Sequence, residues 1–245
     1  MGREVCRAVE AADDLSLVAR IDPAVGPGDV EVELELEPAL RDRSEDQRMQ
    51  VAVDFTHPSA VLDSARTCLQ HGVHVVVGTS GVTSGALEEI RGLAEAGHAN
   101  AIVVPNFAIG AVLMMRFAQE AARYFDAAEV IELHHDGKAD APSGTAMATA
   151  RRIGAARAGA WSSPGGDDAH PGARGTDVEG VRVHAIRLPG LLAHQEVVFG
   201  GPGETLSIRH DSTDRSSFMP GVLLAIRSVG SRPGLTVGLE PLLEG

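Results

Sequence analysis

Aromatic residues and cationic charge are both scarce in this sequence. Its 245 residues include one Trp, one Tyr and six Phe, so stacking of nucleic-acid bases on aromatic side chains is not expected. The formal net charge of −13 at pH 7 also argues against binding to a phosphate backbone. Together these features predict a protein that has no nucleic-acid partner.

Cysteine is nearly absent, and long apolar runs are missing altogether. Cys6 and Cys68 are too few for a disulfide framework, and neither belongs to a C-x-x-C pair. Reduced thiols are typical of the cytoplasm, and no apolar run is long enough to cross a bilayer. We therefore expect a cytoplasmic protein with no membrane partner. The 44% hydrophobic content is enough for one large core or two smaller ones.

The segment 129–152, EVIELHHDGKADAPSGTAMATARR, combines a strand, a polar loop and the start of a helix. Its β-forming residues 130–133 predict a strand that ends at His134 and His135. The turn-forming and proline residues that follow delay the next helix. Ser143 is a favourable N-cap, and the alanine-rich sequence after it predicts a helix to about residue 157.

This loop has the composition of an anion site that carries proton donors. Free backbone N–H groups at Gly144 and Thr145, at the positive end of the helix dipole, favour a carboxylate or phosphate. A cluster of cations makes its imidazole and ammonium members better acids near neutral pH. Lys138 is the only lysine in the chain, and unlike arginine it can lose its proton. The alternative is chance, because the composition leaves few lysines anywhere.

The first half of the chain alternates short apolar strands with helices. Strands are predicted at 51–55, 73–77 and 102–104, and helices at 57–72, 84–95 and 109–125. This order is typical of a doubly wound parallel sheet, which binds ligands at the carboxyl ends of its strands. Two such strand ends are followed by the segments GTS at 78–80 and PNF at 105–107. These segments are candidate ligand contacts, although either could be an ordinary turn. An apolar stripe on the last helix, which includes Phe117, is predicted to be core.

The N-terminus matches only part of a dinucleotide-binding unit. The segment VCRAVEAADDL, residues 5–15, predicts an amphipathic helix, and residues 15–21 predict a strand that ends at Asp22. This spacing fits if Gly2 is the last glycine of a phosphate-binding turn, since an acidic residue follows that turn by about 20 residues. The first strand and the earlier glycines are missing. We therefore expect that the chain as given is incomplete, and that restoring upstream sequence would raise its stability and cofactor affinity.

Two further segments have more than one interpretation. Residues 24–29 read as a linker and 30–37, VEVELELE, alternate strictly. The latter predict either a one-faced strand or a poorly ordered insertion that continues through 41–48. Residues 159–180 are rich in Gly, Pro and Asp, and form either an active-site lid or a disordered loop.

The C-terminal part predicts a second sheet. Segments 181–187, 191–199 and 204–209 read as antiparallel strands joined at Pro189-Gly190 and at 201–203. Three histidines, His184, His194 and His210, lie in or beside these strands. Because no Cys or Asp lies nearby at ligand spacing, they are interpreted as sheet or interface residues. A final helix is predicted at 217–229.

The central motif HHxxKxDAPSGTA, at 134–146, resembles the substrate motif of the 4-hydroxy-tetrahydrodipicolinate reductase family of diaminopimelate and lysine biosynthesis. Four other segments resemble the same family in the same order: VDFTHP, VVGTSG, VPNFAIGAV and HDSTDRSSFMPGVLLAIR. The resemblance covers nearly the whole chain, except the N-terminus and residues 24–50.

The resemblance implies an α/β protein with two domains. A Rossmann-like doubly wound parallel sheet over 1–107 and 216–245 would bind the dinucleotide. A smaller α+β domain over 108–215, with a mixed and largely antiparallel sheet, would bind substrate and form a homotetramer. The implied reaction is reduction of 4-hydroxy-tetrahydrodipicolinate, a small dicarboxylate, by NADH or NADPH.

The resemblance also assigns roles to residues. His134 would donate a proton and Lys138 would assist, while His135, Gly144 and Thr145 would hold the substrate carboxylate. The cofactor would contact nine residues: Gly2, Asp22, Gly78, Thr79, Ser80, Val104, Pro105, Asn106 and Phe107. Asp22 would accept hydrogen bonds from ribose hydroxyls and repel a 2′-phosphate. With Pro23 rather than Arg next to it, we expect NADH to be used at least as well as NADPH.

Two other functions compete with the reductase. One is a truncated relative that binds a dicarboxylate but has lost productive cofactor binding, which a cofactor titration would reveal. The other is a metal protein that uses His134 and His135. Adjacent strand residues point to opposite faces and make poor joint ligands, so no metal site is predicted.

Overall fold

The computed structural model describes residues 1–22, 35–41, 48–157, 161 and 170–244. The chain divides into two compact units. The first unit comprises Met1–Phe107 and Phe218–Gly245, and the second unit comprises Ala108–Ser217. The chain thus returns to the first unit after Ser217, two residues later than the sequence predicts.

Helices and strands alternate through the first half of the described chain. The helices are α1 Gly2–Glu10, α2 Leu36–Arg41, α3 Val61–Gln70, α4 Ser84–Ala96, α5 Ile109–Ala121, α6 Gly144–Ala156, α7 Met219–Val229 and α8 Glu240–Leu243. The strands are β1 Val51–Asp54, β2 His74–Val77, β3 Ala101–Val103, β4 Ala127–His134, β5 Thr176–Val178, β6 Val181–Arg187, β7 Ala193–Gly201, β8 Glu204–Ser212 and β9 Leu235–Val237. No helix in the part of the chain described is long and apolar enough to cross a membrane.

The first unit contains a parallel sheet with the order β1-β2-β3-β9. Every neighbouring pair is parallel, with Val53 opposite Val76 and Val76 opposite Ile102. The residues of β2 and β3 are almost all fully buried, as expected of parallel strands covered on both faces. This arrangement confirms the predicted Rossmann-like class, and it brings the carboxyl ends of β1, β2 and β3 to one edge of the sheet.

The close fit of α7 depends on one glycine. A Cβ atom on Gly221 would lie 2.1 Å from the carbonyl oxygen of Phe107, well inside van der Waals contact. Only a residue without a side chain allows the helix to approach so closely. The segment that follows β3 is thereby packed directly against α7.

The second unit contains a mixed sheet with the order β5-β6-β4-β7-β8. Strand β4 is parallel to β6 and antiparallel to β7, and the two outer pairs are antiparallel. Its core includes Val130 and Phe199 from the sheet and Ala146, Ala150 and Ile153 from α6. The predicted mixed, largely antiparallel sheet is therefore confirmed, with α6 packed against it.

The two strands joined at Pro189-Gly190 are antiparallel, as predicted, but they are not neighbours in the sheet. Strands β6 and β7 do not pair with each other, because β4 lies between them in the sheet. A chain passage from one side of β4 to the other looks like a hairpin in sequence, since both present a turn between two apolar strands. The predicted loop at 159–180 is also partly wrong, because it includes β5; residues 158–160 and 162–169 lie outside the described part.

Three N-terminal predictions are corrected. Residues 15–20 form no strand, and only Ile21 makes a single bridge. A strand needs repeated hydrogen bonding to a neighbour, and in the described part of the chain the sheet ends at β1. Leu36 and Glu37 lie in α2 rather than in a strand, while 23–34 and 42–47 lie outside the described residues. Helix α3 begins at Val61, after a turn at 58–60, rather than at His57-Pro58.

One predicted core residue is exposed. Phe117 lies on α5, which ends at Ala121 instead of continuing to residue 125. Its side chain is 55% exposed, whereas Val112 and Met115 of the same helix are buried. The apolar stripe on α5 is therefore narrower than the sequence pattern indicates.

Candidate active site

The proposed proton donor His134 ends strand β4 and contacts a buried carboxylate. His134 and Glu132 are two residues apart on the strand, so their side chains share one face of the sheet. The Nδ1 atom of His134 forms a short hydrogen bond with Oε2 of Glu132. Glu132 has no exposed surface. A buried carboxylate thus fixes one edge of the His134 ring.

Arg187 is the counter-ion of Glu132. Its Nη1 and Nη2 atoms donate to the two carboxylate oxygens of Glu132, each at 2.9 Å. The register places Arg187 directly opposite His134 on the neighbouring strand β6. The same guanidinium donates to the carbonyl oxygens of Lys138 and Asp140. Arg187 therefore ties the loop that carries Lys138 to the sheet.

Lys138 lies close to Asp140 in the strand-to-helix loop. Its Nζ atom is 2.6 Å from Oδ1 of Asp140, and the Lys138 side chain is 24% exposed. The hydrogen bond from Lys138 lowers the pKa of Asp140, and the backbone N–H of Gly144 acts in the same direction. Asp140 thus places one of the protein's own carboxylates between the Lys138 ammonium group and the start of α6. This is the position that the carboxylate of a ligand is expected to take.

The first turn of α6 is held from both sides. The Ser143 hydroxyl accepts from the N–H of Ala146 at 3.2 Å, and the Ser143 N–H donates to Oε1 of Glu132 at 2.9 Å. The hydroxyl of Thr149 donates to the carbonyl of Thr145 and accepts from Gln195, both at 2.8 Å. Ser143 is the predicted N-cap, and that prediction is confirmed. The start of the helix is rigidly placed beside the end of β4.

The electrostatics of His134 and Glu132 are coupled. Burial lowers the pKa of His134 below its ordinary value; Glu132 opposes this shift, and the charges of Lys138 and Arg187 reinforce it. Burial raises the pKa of Glu132, but hydrogen bonds from Arg187, His134 and Ser143 outweigh it and the net direction is downward. Glu132 is therefore ionised at neutral pH, beside an imidazole whose pKa lies below its ordinary value.

The structure brings five predicted site residues onto one loop. His134, His135, Lys138, Gly144 and Thr145 all lie between the end of β4 and the first turn of α6. His135 follows the strand and is exposed, as is Gly144, while Thr145 is half-buried. The sequence reasoning missed Glu132, Arg187 and Asp140. Glu132 could have been found, because Ala128, Val130 and Glu132 alternate as inward-facing residues and a charge at an inward position needs a partner.

A second group of predicted residues surrounds the carboxyl edge of the parallel sheet. Asp54, at the end of β1, accepts from the backbone and hydroxyl of Thr56 at 2.8 and 2.7 Å and from the hydroxyl of Thr79 at 3.1 Å. These bonds link the loops after β1 and β2. Ser80 follows and is exposed. Asp54 is a further residue that the sequence reasoning did not single out.

Gly78 has no room for a side chain, because two aromatic rings pack against its main chain. A Cβ atom there would lie 2.3 Å from the Phe55 ring and 2.7 Å from the Phe107 ring, whose centroids are 5.6 Å apart. The two rings therefore pack directly against the main chain at Gly78, and a residue with a side chain would not fit there. Gly78 follows β2 at the carboxyl edge of the sheet, the edge at which open α/β sheets bind dinucleotides such as NADH or NADPH.

The remaining predicted cofactor residues differ in exposure. Val104 and Phe107 are buried, Asn106 is half-buried and Pro105 is exposed. The N–H of Val104 donates to the carbonyl of Val77, so this N–H group is already paired within the first unit. Gly2 is the first residue of α1, with no atom within 4 Å of an added Cβ. Asp22 is exposed and follows the single bridge at Ile21.

Metal binding finds no support among the described residues. None of their His, Cys, Asp and Glu side chains form a group of three or more that could hold a metal ion. His134 is also bonded through Nδ1 to Glu132, while His184 and His194 contact Glu129 and Asp211 at 2.8 and 2.7 Å. These pairs are side-chain hydrogen bonds between residues of the mixed sheet.

A Rossmann-like parallel sheet in one unit, and in the other a mixed sheet whose strand-to-helix loop carries histidine and lysine, are typical of a two-domain, dinucleotide-dependent oxidoreductase. Comparison with known families identifies the oxidoreductase family to which the chain belongs. Models described as "Dihydrodipicolinate reductase, N-terminus" and "Dihydrodipicolinate reductase, C-terminus" match residues 1–107 and 110–243. The chain belongs to the dihydrodipicolinate reductase family.

Individual relatives agree with this assignment. Over its full length the chain is 54% identical to a 4-hydroxy-tetrahydrodipicolinate reductase of Nocardia farcinica and covers 94% of that protein. It is 53% identical to one of Streptomyces griseus, with the same coverage. A dipicolinate-bound dihydrodipicolinate reductase from Paenisporosarcina sp. TG-14 is 41% identical, with a TM-score of 0.84 over 98% of this chain and 94% of that chain.

Proposed function

We propose that this protein is an NAD(P)H-dependent reductase that converts 4-hydroxy-tetrahydrodipicolinate to tetrahydrodipicolinate in diaminopimelate and lysine biosynthesis. The observation that carries the proposal is the convergence of His134, Lys138 and the N-terminus of α6 on one loop. Relatives that cover the whole chain have this activity in their names. The Paenisporosarcina relative binds dipicolinate, which supports a small dicarboxylate substrate.

The residues of the loop have separate roles in this proposal. The N–H groups of Gly144 and Thr145, with His135, hold a substrate carboxylate at the positive end of the helix. His134 donates a proton and Lys138 assists protonation. The carboxylate of the substrate competes with Asp140 for Lys138 and the Gly144 N–H, so that binding releases the internal contact. Preorganised cations and N–H groups then stabilise the charge that develops in the transition state.

We assign coenzyme binding to the first unit and substrate binding to the second. When bound, NADH or NADPH supplies a hydride. Gly78, Thr79 and Ser80, with residues 104–107, would contact the coenzyme at the sheet edge, and Gly2 and Asp22 would lie near its phosphate and ribose groups. The reaction takes up one hydride and one proton and releases the substrate hydroxyl as water.

A direct assay separates this function from the non-catalytic alternative. The purified chain should oxidise NADH or NADPH only when 4-hydroxy-tetrahydrodipicolinate is present, and dipicolinate should inhibit competitively because it presents the same pair of carboxylates. Initial rates measure turnover and calorimetry measures dipicolinate binding. Binding of dipicolinate without any oxidation of coenzyme would favour the non-catalytic relative.

Coenzyme preference provides a prediction for Asp22. We expect kcat/KM with NADH to be at least as high as with NADPH, because an acidic group near the ribose repels a 2′-phosphate. Asp22→Ala should narrow any preference for NADH, whereas Asp13→Ala, an exposed residue of the same unit, should not. A strong preference for NADPH in the unaltered protein would contradict this role.

We also propose a cytoplasmic homotetramer in which residues 181–210 form the subunit interface. Strand β8 is at the edge of the described sheet, and its Leu206 is 37% exposed; such edges are favourable sites for association. Cys6 and Cys68 are free thiols, which persist in the cytoplasm. Sedimentation at micromolar concentration should give a tetramer, and a monomer would refute the assembly. Cell fractionation tests the location.

A further inference from the structure

Glu132 is hydrogen-bonded at both ends of the loop that carries the proposed chemistry, to His134 at the end of β4 and to Ser143 at the start of α6. Its Oε2 accepts from His134 and from Arg187, and its Oε1 accepts from Arg187 and from the N–H of Ser143. The side chain is fully buried, so water cannot replace these donors. One carboxylate therefore holds the imidazole, the counter-ion and the start of α6 in a single arrangement.

We propose that Glu132 is a positioning residue for the proton donor His134, with Arg187 as the counter-ion that keeps it ionised in the core. This inference rests on the proposed function, because it assumes that His134 donates the proton. Glu132 itself is not assigned contact with substrate. Its effect on the reaction passes through the orientation and protonation of the His134 ring.

The chemistry of the contact determines the tautomer of His134. An ionised carboxylate is an acceptor only, so Nδ1 must carry the hydrogen in the bond with Glu132. Nε2 is then the nitrogen that gains and loses the transferable proton. The same bond prevents rotation of the ring, which keeps Nε2 in a fixed position relative to the N-terminus of α6.

The charge of Glu132 also sets the pH range in which His134 can act. Three charged groups influence the ring: Glu132 on the same strand, Arg187 on β6 and Lys138 in the loop. Burial lowers the pKa of His134, as do the two cations, and only Glu132 opposes this shift. Removal of the carboxylate should therefore lower the pKa further, so that less of the imidazole is protonated at neutral pH.

The test compares Glu132→Gln, Arg187→Met and the variant with both changes. Glutamine retains the size of glutamate but replaces one acceptor oxygen with a donor. It therefore cannot accept from His134, Ser143 and Arg187 together. The double variant removes both buried charges, which is often nearly neutral for stability. The double variant therefore shows the effect of losing the anionic partner of His134 in a protein whose fold remains stable.

We expect Glu132→Gln to lower kcat by about 10²-fold or more with little change in KM, since proton transfer is impaired while binding groups remain. The alkaline limb of the kcat profile should move to lower pH. NMR signals of the imidazole nitrogens, assigned with His134→Asn, should show the lower pKa and loss of the fixed tautomer. The double variant should recover stability but not kcat.

Two results would overturn the inference. One is recovery of wild-type kcat in the double variant together with its stability, which is the behaviour of a purely structural pair. The other is an unchanged tautomer and pKa of His134 in folded Glu132→Gln. An inactive wild-type protein would instead refute the proposed function, and the NMR titration would still decide whether Glu132 controls His134.

Discussion

Replacing either His134 or Lys138 with alanine should lower kcat by about 10²–10⁴-fold, the typical contribution of a catalytic proton transfer. His134 is the last residue of β4, and Lys138 lies in the loop between β4 and α6. Lys138→Arg should be similarly impaired, because arginine keeps the positive charge but does not release a proton. Steady-state kinetics with 4-hydroxy-tetrahydrodipicolinate and NADH measure the effect, and circular dichroism verifies the fold.

A histidine of the first unit, outside the proposed site, serves as the control. His98 follows α4 and is exposed, and it has no role in the proposed chemistry. His98→Ala should therefore keep kcat near the wild-type value. If both alanine variants at 134 and 138 also turn over at near-wild-type rates, the assignment of the proton donors is wrong.

Replacing Arg187 with methionine should destabilise the second unit by about 3–5 kcal/mol, because it leaves the Glu132 carboxylate buried without its counter-ion. That is a large share of the roughly 5–15 kcal/mol by which a domain is usually stable. Trp161 is the only Trp in the chain and lies in the second unit, so its fluorescence during urea unfolding reports on this unit. Adding Glu132→Gln to Arg187→Met should recover much of the loss. A cost below about 1 kcal/mol for the single change would contradict the structural role.

The pH dependence of this destabilisation has a definite sign. The folded protein holds the pKa of Glu132 below its ordinary value of 4.5, so its contribution to stability is present above that pH and is lost as the pH falls through the lowered value. In Arg187→Met, burial without a counter-ion raises the pKa of Glu132. The penalty is then full at neutral pH and disappears on acidification. The difference in unfolding free energy between the two proteins should shrink from pH 7 to about pH 4.

Local patterns predicted the first unit well where strands were continuous and apolar. The strands at 51–55, 73–77 and 102–104 appear as β1, β2 and β3 within a residue or two, since fully buried parallel strands carry their signal in consecutive residues. The strand at 15–21 was wrong because its apolar residues were read without a pairing partner. In the structure Val18, Ala19 and Ile21 pack against the core without forming a ladder.

The site was predictable wherever it is contiguous in sequence. Spacing alone placed His134, Lys138 and Ser143 at the end of a strand, in a loop and at a helix N-cap, and the structure has them there. Their roles in the reaction remain predictions. Arg187 was not predictable, because it is 55 residues from Glu132 along the chain and reaches it only through the pairing of β4 with β6.

The sequence by itself determined the two kinds of sheet, the strand–loop–helix motif and the resemblance to a reductase family, because turns, caps and strand periodicity act over a few neighbouring residues. Only the tertiary structure decided that β4 separates β6 from β7, that Gly78 is enclosed by Phe55 and Phe107, and that Glu132 joins His134, Arg187 and Ser143. These features depend on contacts between segments that are far apart in the chain. The buried Glu132 carboxylate, for example, is stable in the core because Arg187, 55 residues away, supplies its counter-ion.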